Sequence, residues 1–186
     1  MPLALHPAMT FTGMSLDLTR LLDCTFGVTA DAAMLPIAQA LVVEMGAEPV
    51  AIAEADRTLY HAALAHGSNH LVTLVAQASQ LLREVGVDAP ERMLGPLLRA
   101  TLENALASGE SALTGPVARG DAGTVAAHAE ALREQDSGSR GDILDAYLAM
   151  ARATARRAGI RGMLKPDQLE GIGRALEGPD KNGPQS

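Results

Sequence analysis

The sequence predicts a mostly α-helical fold that follows a short α/β segment, and three observations support this prediction. Apolar residues make up 47% of the 186 residues, whereas aromatic residues make up only 2%. A core of Ala, Leu, Val and Met suits closely packed helices better than a β-sandwich. From Glu54 onward the apolar residues recur at helical spacing, whereas the earlier residues alternate between strand and helix patterns.

The N-terminal part of the chain has the composition of an α/β segment. Residues 3–5, 24–29 and 49–52 are predicted strands, the second being β-branched and aromatic. A helix is predicted from Asp31, as its N-cap, to about Met45, where Gly46 ends it. These strands are too few to form a sheet of their own. We therefore expect them to be the end of a larger α/β domain.

The longest predicted element is a helix from Glu54 to about Val87. Leu64, Leu71 and Ala78 recur every seven residues and give this helix a continuous apolar stripe. About thirty residues would extend about 45 Å at 1.5 Å per residue. Such a helix is typical of a bundle's central element or a subunit interface, so we expect a homodimer.

The remainder of the sequence predicts shorter helices joined by polar loops. Four helices are predicted, starting near Pro90, Asp121, Asp142 and Pro166. Loops rich in Gly, Pro or Ser are predicted at residues 113–121 and 135–141, and disorder at residues 178–186.

Charge and composition exclude several classes of function. The net charge of −7 argues against nucleic acid as a partner, because phosphate binding needs a basic face. Cys24 is the only cysteine, which excludes an internal disulfide, fits the cytoplasm and suggests an inert buried thiol. The sequence has neither a signal-peptide pattern nor the roughly twenty apolar residues of a membrane span.

Four short segments are similar to a known family. They are His6–Gly13, Phe26–Thr29, Tyr60–Ala63 with Ser68–Asn69, and Thr114–Asp121. Their order and spacing resemble the C-terminal half of bacterial Rossmann-like oxidoreductases that carry the domain of unknown function 2520 (DUF2520). The resemblance covers nearly all of residues 3–176.

This resemblance implies a fold and a separate function for each of two domains. Related enzymes are pyrroline-5-carboxylate reductase, ketopantoate reductase and the β-hydroxyacid dehydrogenases, so the helical part is expected to be a bundle of the 6-phosphogluconate dehydrogenase C-terminal-like type. Residues 1–53 would be a remnant of a Rossmann domain binding NADP or NAD, and residues 54–177 a helical domain for dimerisation and substrate binding. The dinucleotide fingerprint is not found. The nearest pattern, Gly171-Ile-Gly173, has Leu176 at its third glycine position and is rejected. We therefore expect a fragment that is inactive alone and holds no cofactor-binding residues.

The polar start of the long helix supplies the candidate catalytic residues His61, Ser68 and Asn69. His61 and Ser68 share a helix face, and Asn69 lies about 80° from it. A histidine can donate a proton to a carbonyl near neutral pH, while Ser or Asn holds the carbonyl oxygen. β-Hydroxyacid dehydrogenases place a Lys one turn before the Asn, but Ala65 stands there. Alternatively, these polar side chains hydrogen-bond loop backbone.

Five further residues are candidates for substrate binding: His6, Tyr60, Thr114, Arg119 and Asp121. Arg119 could hold a substrate carboxylate with its guanidinium, or it could pair with Asp121 or with a carboxylate of the long helix. His6 could face a cofactor cleft, or it could simply end a strand.

A metal site is not predicted from the two histidines of the long helix. His66 and His70 are one turn apart, a spacing that zinc sites use. There is no Glu between them as in metalloproteases, and no third ligand is identifiable. Two surface or interface histidines are the favoured interpretation.

Two hypotheses of function follow. The first is the C-terminal domain of an NAD(P)-dependent oxidoreductase that acts on a small keto acid or imine, such as a ketopantoate-like substrate. The second is a non-catalytic helical module for dimerisation or binding. A Gly-x-Gly-x-x-Gly upstream of Met1 would identify the class of the parent protein.

Overall fold

The computed structural model describes residues 2–136 and 142–177, and it is mostly helical with one small sheet. The strands are β1 (Leu3–Pro7), β2 (Thr25–Ala30) and β3 (Glu48–Ala51). The helices are α1 (Leu16–Leu22), α2 (Leu35–Glu44), α3 (Arg57–Glu84), α4 (Pro90–Ser108), α5 (Gly115–Arg119), α6 (Ala122–Asp136), α7 (Asp142–Ile160) and α8 (Pro166–Glu177). The fold class predicted from the sequence is confirmed.

Contacts divide the chain into two compact units, Met1–Ala78 and Ser79–Ser186. The division falls within α3, later in the chain than residue 53, where the sequence predicts a boundary between two functional domains. The assignment of a Rossmann remnant to residues 1–53 and of a substrate domain to residues 54–177 stays a prediction.

The first unit is built on a three-stranded sheet in the order β1-β2-β3, so the expectation that these strands are too few to form a sheet of their own is wrong. Three strands suffice because α2 packs on one face of the sheet. β1 runs antiparallel to β2, and β3 runs parallel to β2, so α2 is the crossover between the two parallel strands. Phe26 and Val28 of β2 pack against Ala38 and Val42 of α2 in a buried cluster. Because side chains alternate along a strand, Gly27 lies on the opposite sheet face.

Two helices of this unit differ from the prediction. α2 begins at Leu35, because the Asp31 carboxylate accepts hydrogen bonds from the amides of Ala33 and Met34 and so caps a preceding turn. Pro36 therefore stands in the first helical turn, where no intrahelical donor is lost. α1 was not predicted, because its one buried residue is Asp17.

α3 is the long helix that the apolar repeat predicts. A short 3-10 turn at Glu54–Asp56 leads into it, and Arg57 forms an ion pair with Glu54 at the helix start. Within the chain only Gln77 of α3 is buried. Leu71 of the apolar stripe and Leu74, one turn later, are each 39% exposed.

The second unit contains a small helical core formed by α5 to α8. Val117, Val125, Ala151, Ile172 and further small or branched residues form its buried cluster. The segment 113–121 was expected to be a loop, but its middle forms α5, which ends at Gly120 in the left-handed conformation with φ of 74°. The predicted loop at 135–141 is also corrected at its start, because α6 continues to Asp136.

Two further predictions for this part of the chain are confirmed, and two others fall outside the described residues. The helix start at Pro90 is confirmed, and Asp121 caps α6 as predicted, its carboxylate accepting from the amide and the hydroxyl of Thr124. The rest of the predicted loop, residues 137–141, and the predicted disordered tail, residues 178–186, lie outside the described residues.

Candidate functional site

Two clefts of the first unit share the side chains of His6 and His61. The first, here called the loop cleft, has a volume of about 360 Å³ and is also lined by residues 8–11 and by Leu64, Ala65, Ser68 and Asn69 of α3. The second, here called the sheet cleft, has a volume of about 390 Å³ and is also lined by Ala4, Gly27, Thr29, Ile52, Glu54, Arg57, Thr58 and Tyr60. The two histidines therefore stand where the two clefts meet.

The sheet places His6 through its register. His6 of β1 is the partner of Gly27 in β2, so the two residues lie side by side on the face opposite α2. The Tyr60 hydroxyl fills the space that a side chain at Gly27 would need, since a Cβ there would lie 2.6 Å from the hydroxyl oxygen. Glycine at this position is therefore what allows α3 to bring Tyr60 onto the sheet.

Tyr60 holds His6 by two kinds of contact. Its hydroxyl lies 3.1 Å from Nδ1 of His6, within hydrogen-bond distance, and the two rings meet edge to face with centroids 5.5 Å apart. The His61 ring contacts His6 from the same helix, at a centroid distance of 5.8 Å. One strand end and one helix start therefore bring three of the predicted site residues together.

Burial also changes the acidity of Tyr60. Desolvation raises the pKa of its hydroxyl above the ordinary value, although a hydrogen bond with the Gly27 backbone partly lowers it. Tyr60 therefore stays protonated at neutral pH and is able to donate a hydrogen bond to His6.

The three candidate catalytic residues all line the loop cleft. His61 and Ser68 share a helix face as predicted, and Asn69, which the spacing places about 80° away, reaches the same cleft. Ala65 lines the cleft as well. One turn before Asn69, the helix thus presents only a methyl group to the cleft.

Asp17, which the sequence did not single out, supports a wall of the loop cleft without lining it. It is 6% exposed, and its carboxylate accepts hydrogen bonds from the backbone amides of Thr12 and Gly13 and from the Thr12 hydroxyl. Burial by itself raises the pKa of Asp17. The hydrogen bonds and the nearby Arg20 charge lower it by more, so the pKa lies below the ordinary value. Asp17 thereby fixes the end of the segment whose residues 8–11 form a wall of the loop cleft.

Three other predicted site residues, Thr114, Arg119 and Asp121, belong to the second unit. Thr114 precedes α5, and Arg119 is exposed in its last turn, where its backbone carbonyl accepts a 3.3 Å hydrogen bond from the Gln168 side chain. The pKa of Asp121 is lowered mainly by its hydrogen bonds from Thr124 and further by the Arg119 charge. Asp121 therefore has a structural task as a helix cap.

The family is decided by the match of residues 24–154 to the family described as a domain of unknown function, DUF2520. The chain belongs to the DUF2520 family. No curated protein matches the chain. The matched residues include Tyr60, His61 and Asn69, whereas His6 lies before them.

Two solved structures share the fold of this DUF2520 protein. Protein TM1727 from Thermotoga maritima is 25% identical, with a TM-score of 0.70 over 86% of this chain and 62% of its own. The "putative NADP oxidoreductase BF3122" from Bacteroides fragilis is 18% identical, with a TM-score of 0.67 over 84% of this chain and 58% of its own. The chain therefore spans about three fifths of the length of each.

Other features of the DUF2520 protein bear on what it can bind. Gly171 and Gly173 lie inside α8 and so do not form the turn between a strand and a helix that a dinucleotide fingerprint needs. Within residues 2–136 and 142–177, three or more His, Cys, Asp or Glu side chains are nowhere grouped as metal ligands. In the same residues, no helix is both long and apolar enough to cross a membrane. Cys24 is a free, buried thiol, and burial raises its pKa.

Proposed function

We propose that this chain is the C-terminal, mostly helical part of a cytoplasmic NAD(P)-dependent oxidoreductase. It would act on a small keto acid or imine, with a ketopantoate-like compound as one candidate. The observation that carries the proposal is that His6 and His61 line two clefts at once. Such a pair can face a bound substrate on one side and a hydride donor on the other.

The first step of the argument concerns the hydride donor. Both solved structures extend beyond the part that this chain covers, and one of them is named as an NADP oxidoreductase. This supports a parent protein related to pyrroline-5-carboxylate reductase and ketopantoate reductase, with a Rossmann domain outside residues 1–186. Residues 1–53 would be the last part of that domain.

The described residues do not fit a complete dinucleotide. The pyrophosphate needs a glycine-rich turn between a strand and a helix, and the turns that follow the strands of the first unit have no such sequence. A bound nicotinamide would supply hydride, but its binding would depend mainly on the rest of the parent protein. The 186 residues alone are therefore expected to be inactive.

The second step concerns the carbonyl or imine. As hydride arrives, the substrate oxygen or nitrogen needs a proton, and imidazoles exchange protons near neutral pH. His61 would supply that proton in the loop cleft, with Ser68 and Asn69 as hydrogen-bonding partners of the reacting group. Tyr60 and His6 would act beside them, Tyr60 by fixing the ring of His6.

The third step concerns the acid group of the substrate. Arg119 is exposed and offers the planar fork that binds carboxylates. Its contact with a substrate carboxylate, together with Thr114 and Asp121, stays part of the proposal for the assembled enzyme.

A second candidate function is that of a dimerisation or binding module without chemistry of its own. The observation that favours it is the exposure of apolar side chains on the two longest helices of the chain before residue 110. On α4, Leu97 is 60% and Leu106 is 79% exposed, and on α3, Val72 is 70% exposed. A homodimer that covers these side chains is compatible with both candidates.

The test uses the full-length parent protein and measures oxidation of NADPH and NADH with a panel of 2-keto acids and cyclic imines. The variants are His61→Ala and Asn69→Ala, and the control is His128→Ala, an exposed histidine of α6 in the second unit. Loss of a positioned proton donor typically lowers kcat by about 10²- to 10⁴-fold. Turnover in the wild type that falls in the two variants and not in the control would support the oxidoreductase. No turnover with the whole panel, or an unchanged kcat in His61→Ala, would contradict it.

A further inference from the structure

The side chains of His66 and His70 face each other on the exposed surface of α3. Their Nδ1 atoms are 3.0 Å apart, and their rings meet edge to face at a centroid distance of 4.9 Å. Both residues are exposed, and a Cβ added at Gly67, which lies between them in sequence, would meet nothing within 4 Å. Two ring nitrogens therefore converge on a point that solvent and small ions can reach.

We propose that His66 and His70 form a binding site for a divalent transition-metal ion of the copper(II) type. Histidines one helical turn apart lie on the same face, so the helix itself preorganises the pair. For both Nδ1 atoms to bind, each neutral ring carries its proton on Nε2. In the metal-free pair one ring donates its Nδ1 proton to the other, and ion binding requires that proton to move through solvent to Nε2 of the same ring.

The separation of the two nitrogens selects among metals. With metal–nitrogen bonds of about 2.0–2.1 Å, nitrogens that lie 3.0 Å apart subtend an angle of about 95° at the ion. That angle is near the 90° between neighbouring ligands of a tetragonal ion and smaller than the tetrahedral angle that zinc prefers. Copper(II) also binds nitrogen sites more tightly than nickel(II) or zinc(II).

The described residues offer no third protein ligand, so water completes the shell of the ion. The helical neighbours one turn before His66 are Ala62 and Ala63, and those one turn after His70 are Thr73 and Leu74. These side chains bring neither a competing charge nor a carboxylate. The site therefore binds by its two imidazoles alone, and affinity should fall when either one is removed.

The experiment titrates the tag-free 186-residue protein with copper(II), nickel(II) and zinc(II) in a weakly coordinating buffer, using calorimetry. His66→Ala and His70→Ala remove one ligand each, and alanine keeps the helix intact. His128→Ala is the control, because it removes another exposed histidine, on α6. Circular dichroism checks that every variant is folded.

We expect one copper(II) ion per chain, bound more tightly than nickel(II) or zinc(II). Changes to outer-shell partners alone cost about 10- to 100-fold in metal affinity, so loss of a ligand should cost at least about tenfold. The electron paramagnetic resonance spectrum should show two coupled nitrogens in the wild type and one in each variant. Unchanged copper affinity in His66→Ala, an equal loss in His128→Ala, or tighter binding of zinc than of copper would overturn the proposal.

Discussion

The substitution Gly27→Ala tests the structural basis of the candidate site most directly. A Cβ at this position would lie 2.6 Å from the Tyr60 hydroxyl oxygen, 2.7 Å from Cζ and 3.0 Å from Cε1. Gly27 is buried in the central strand, so Gly27→Ala forces the Tyr60 ring away from the sheet. The ring cannot move without stretching its hydrogen bond with His6.

The expected cost of Gly27→Ala has two parts. Overpacking of a buried site costs about 1–3 kcal/mol. The loss of the hydrogen bond between Tyr60 and His6 adds about 0.5–1.5 kcal/mol. In a Tyr60→Ala background both parts vanish, and alanine in place of glycine should instead stabilise a strand by about 0.5–1 kcal/mol. The two changes should therefore be coupled by about 2 kcal/mol or more.

The assay is urea unfolding followed by circular dichroism for the wild type, both single variants and the double variant. Amide hydrogen exchange in β2 reports on the first unit separately. Gly173→Ala is the control, because this glycine lies inside α8 and a Cβ there meets nothing within 4 Å. A Gly27→Ala variant as stable as the wild type, or one equally destabilised with and without Tyr60, would refute the reasoning.

Two further predictions concern one polar and one apolar buried side chain. The folded-state pKa of Asp17 is lowered, so its contribution to stability is present above its unfolded pKa of about 3.9 and is lost as pH falls through the folded value. Asp17→Asn should thus lower the free energy of unfolding at pH 7 and make it decline less steeply below about pH 4. Urea titrations at several pH values measure this, and a variant with the same pH dependence as the wild type would contradict it. Ile172 is 1% exposed in the core of the second unit. Ile172→Ala should lower the free energy of unfolding by about 2–5 kcal/mol, and Ile172→Val should lower it by about 0.5–1.5 kcal/mol. Equal costs for the two changes would mean that the core closes around the space left by the larger deletion.

Local sequence patterns predicted most of the fold. The β-branched stretch of β2 and the seven-residue repeat of α3 depend on neighbours along the chain, and both elements form as expected. The helix α1 was not predicted, because most of its apolar side chains are exposed and its acidic side chain is buried. Leu18 is 70% exposed and Asp17 is buried, since the loop amides compensate the carboxylate. The five-residue α5 was missed because its Gly and Pro are typical of a turn as well as of a helix start.

The candidate site was predictable only where it depends on one helix. Spacing along α3 was enough to group His61 with Ser68. The contact between Tyr60 and His6 depends on strand register, since it requires Gly27 opposite His6. Neither hydrophobic periodicity nor composition predicts which residues pair between two strands about 20 residues apart in the chain.

Ala65 limits which groups could serve as the acid in the proposed reaction. It lines the loop cleft one turn before Asn69, and its methyl group has no proton to donate to a substrate. Among the described side chains of that cleft, those of His6 and His61 are the two imidazoles, the group that serves most often as a general acid in enzymes. Their rings contact each other, and Tyr60 fixes the ring of His6 but not that of His61. A lysine introduced as Ala65→Lys would therefore supply a second acid, and in full-length protein it should restore part of the activity lost in His61→Ala. Activity that stays at the level of His61→Ala would mean that proton delivery depends on the paired rings and not merely on an acid in the cleft.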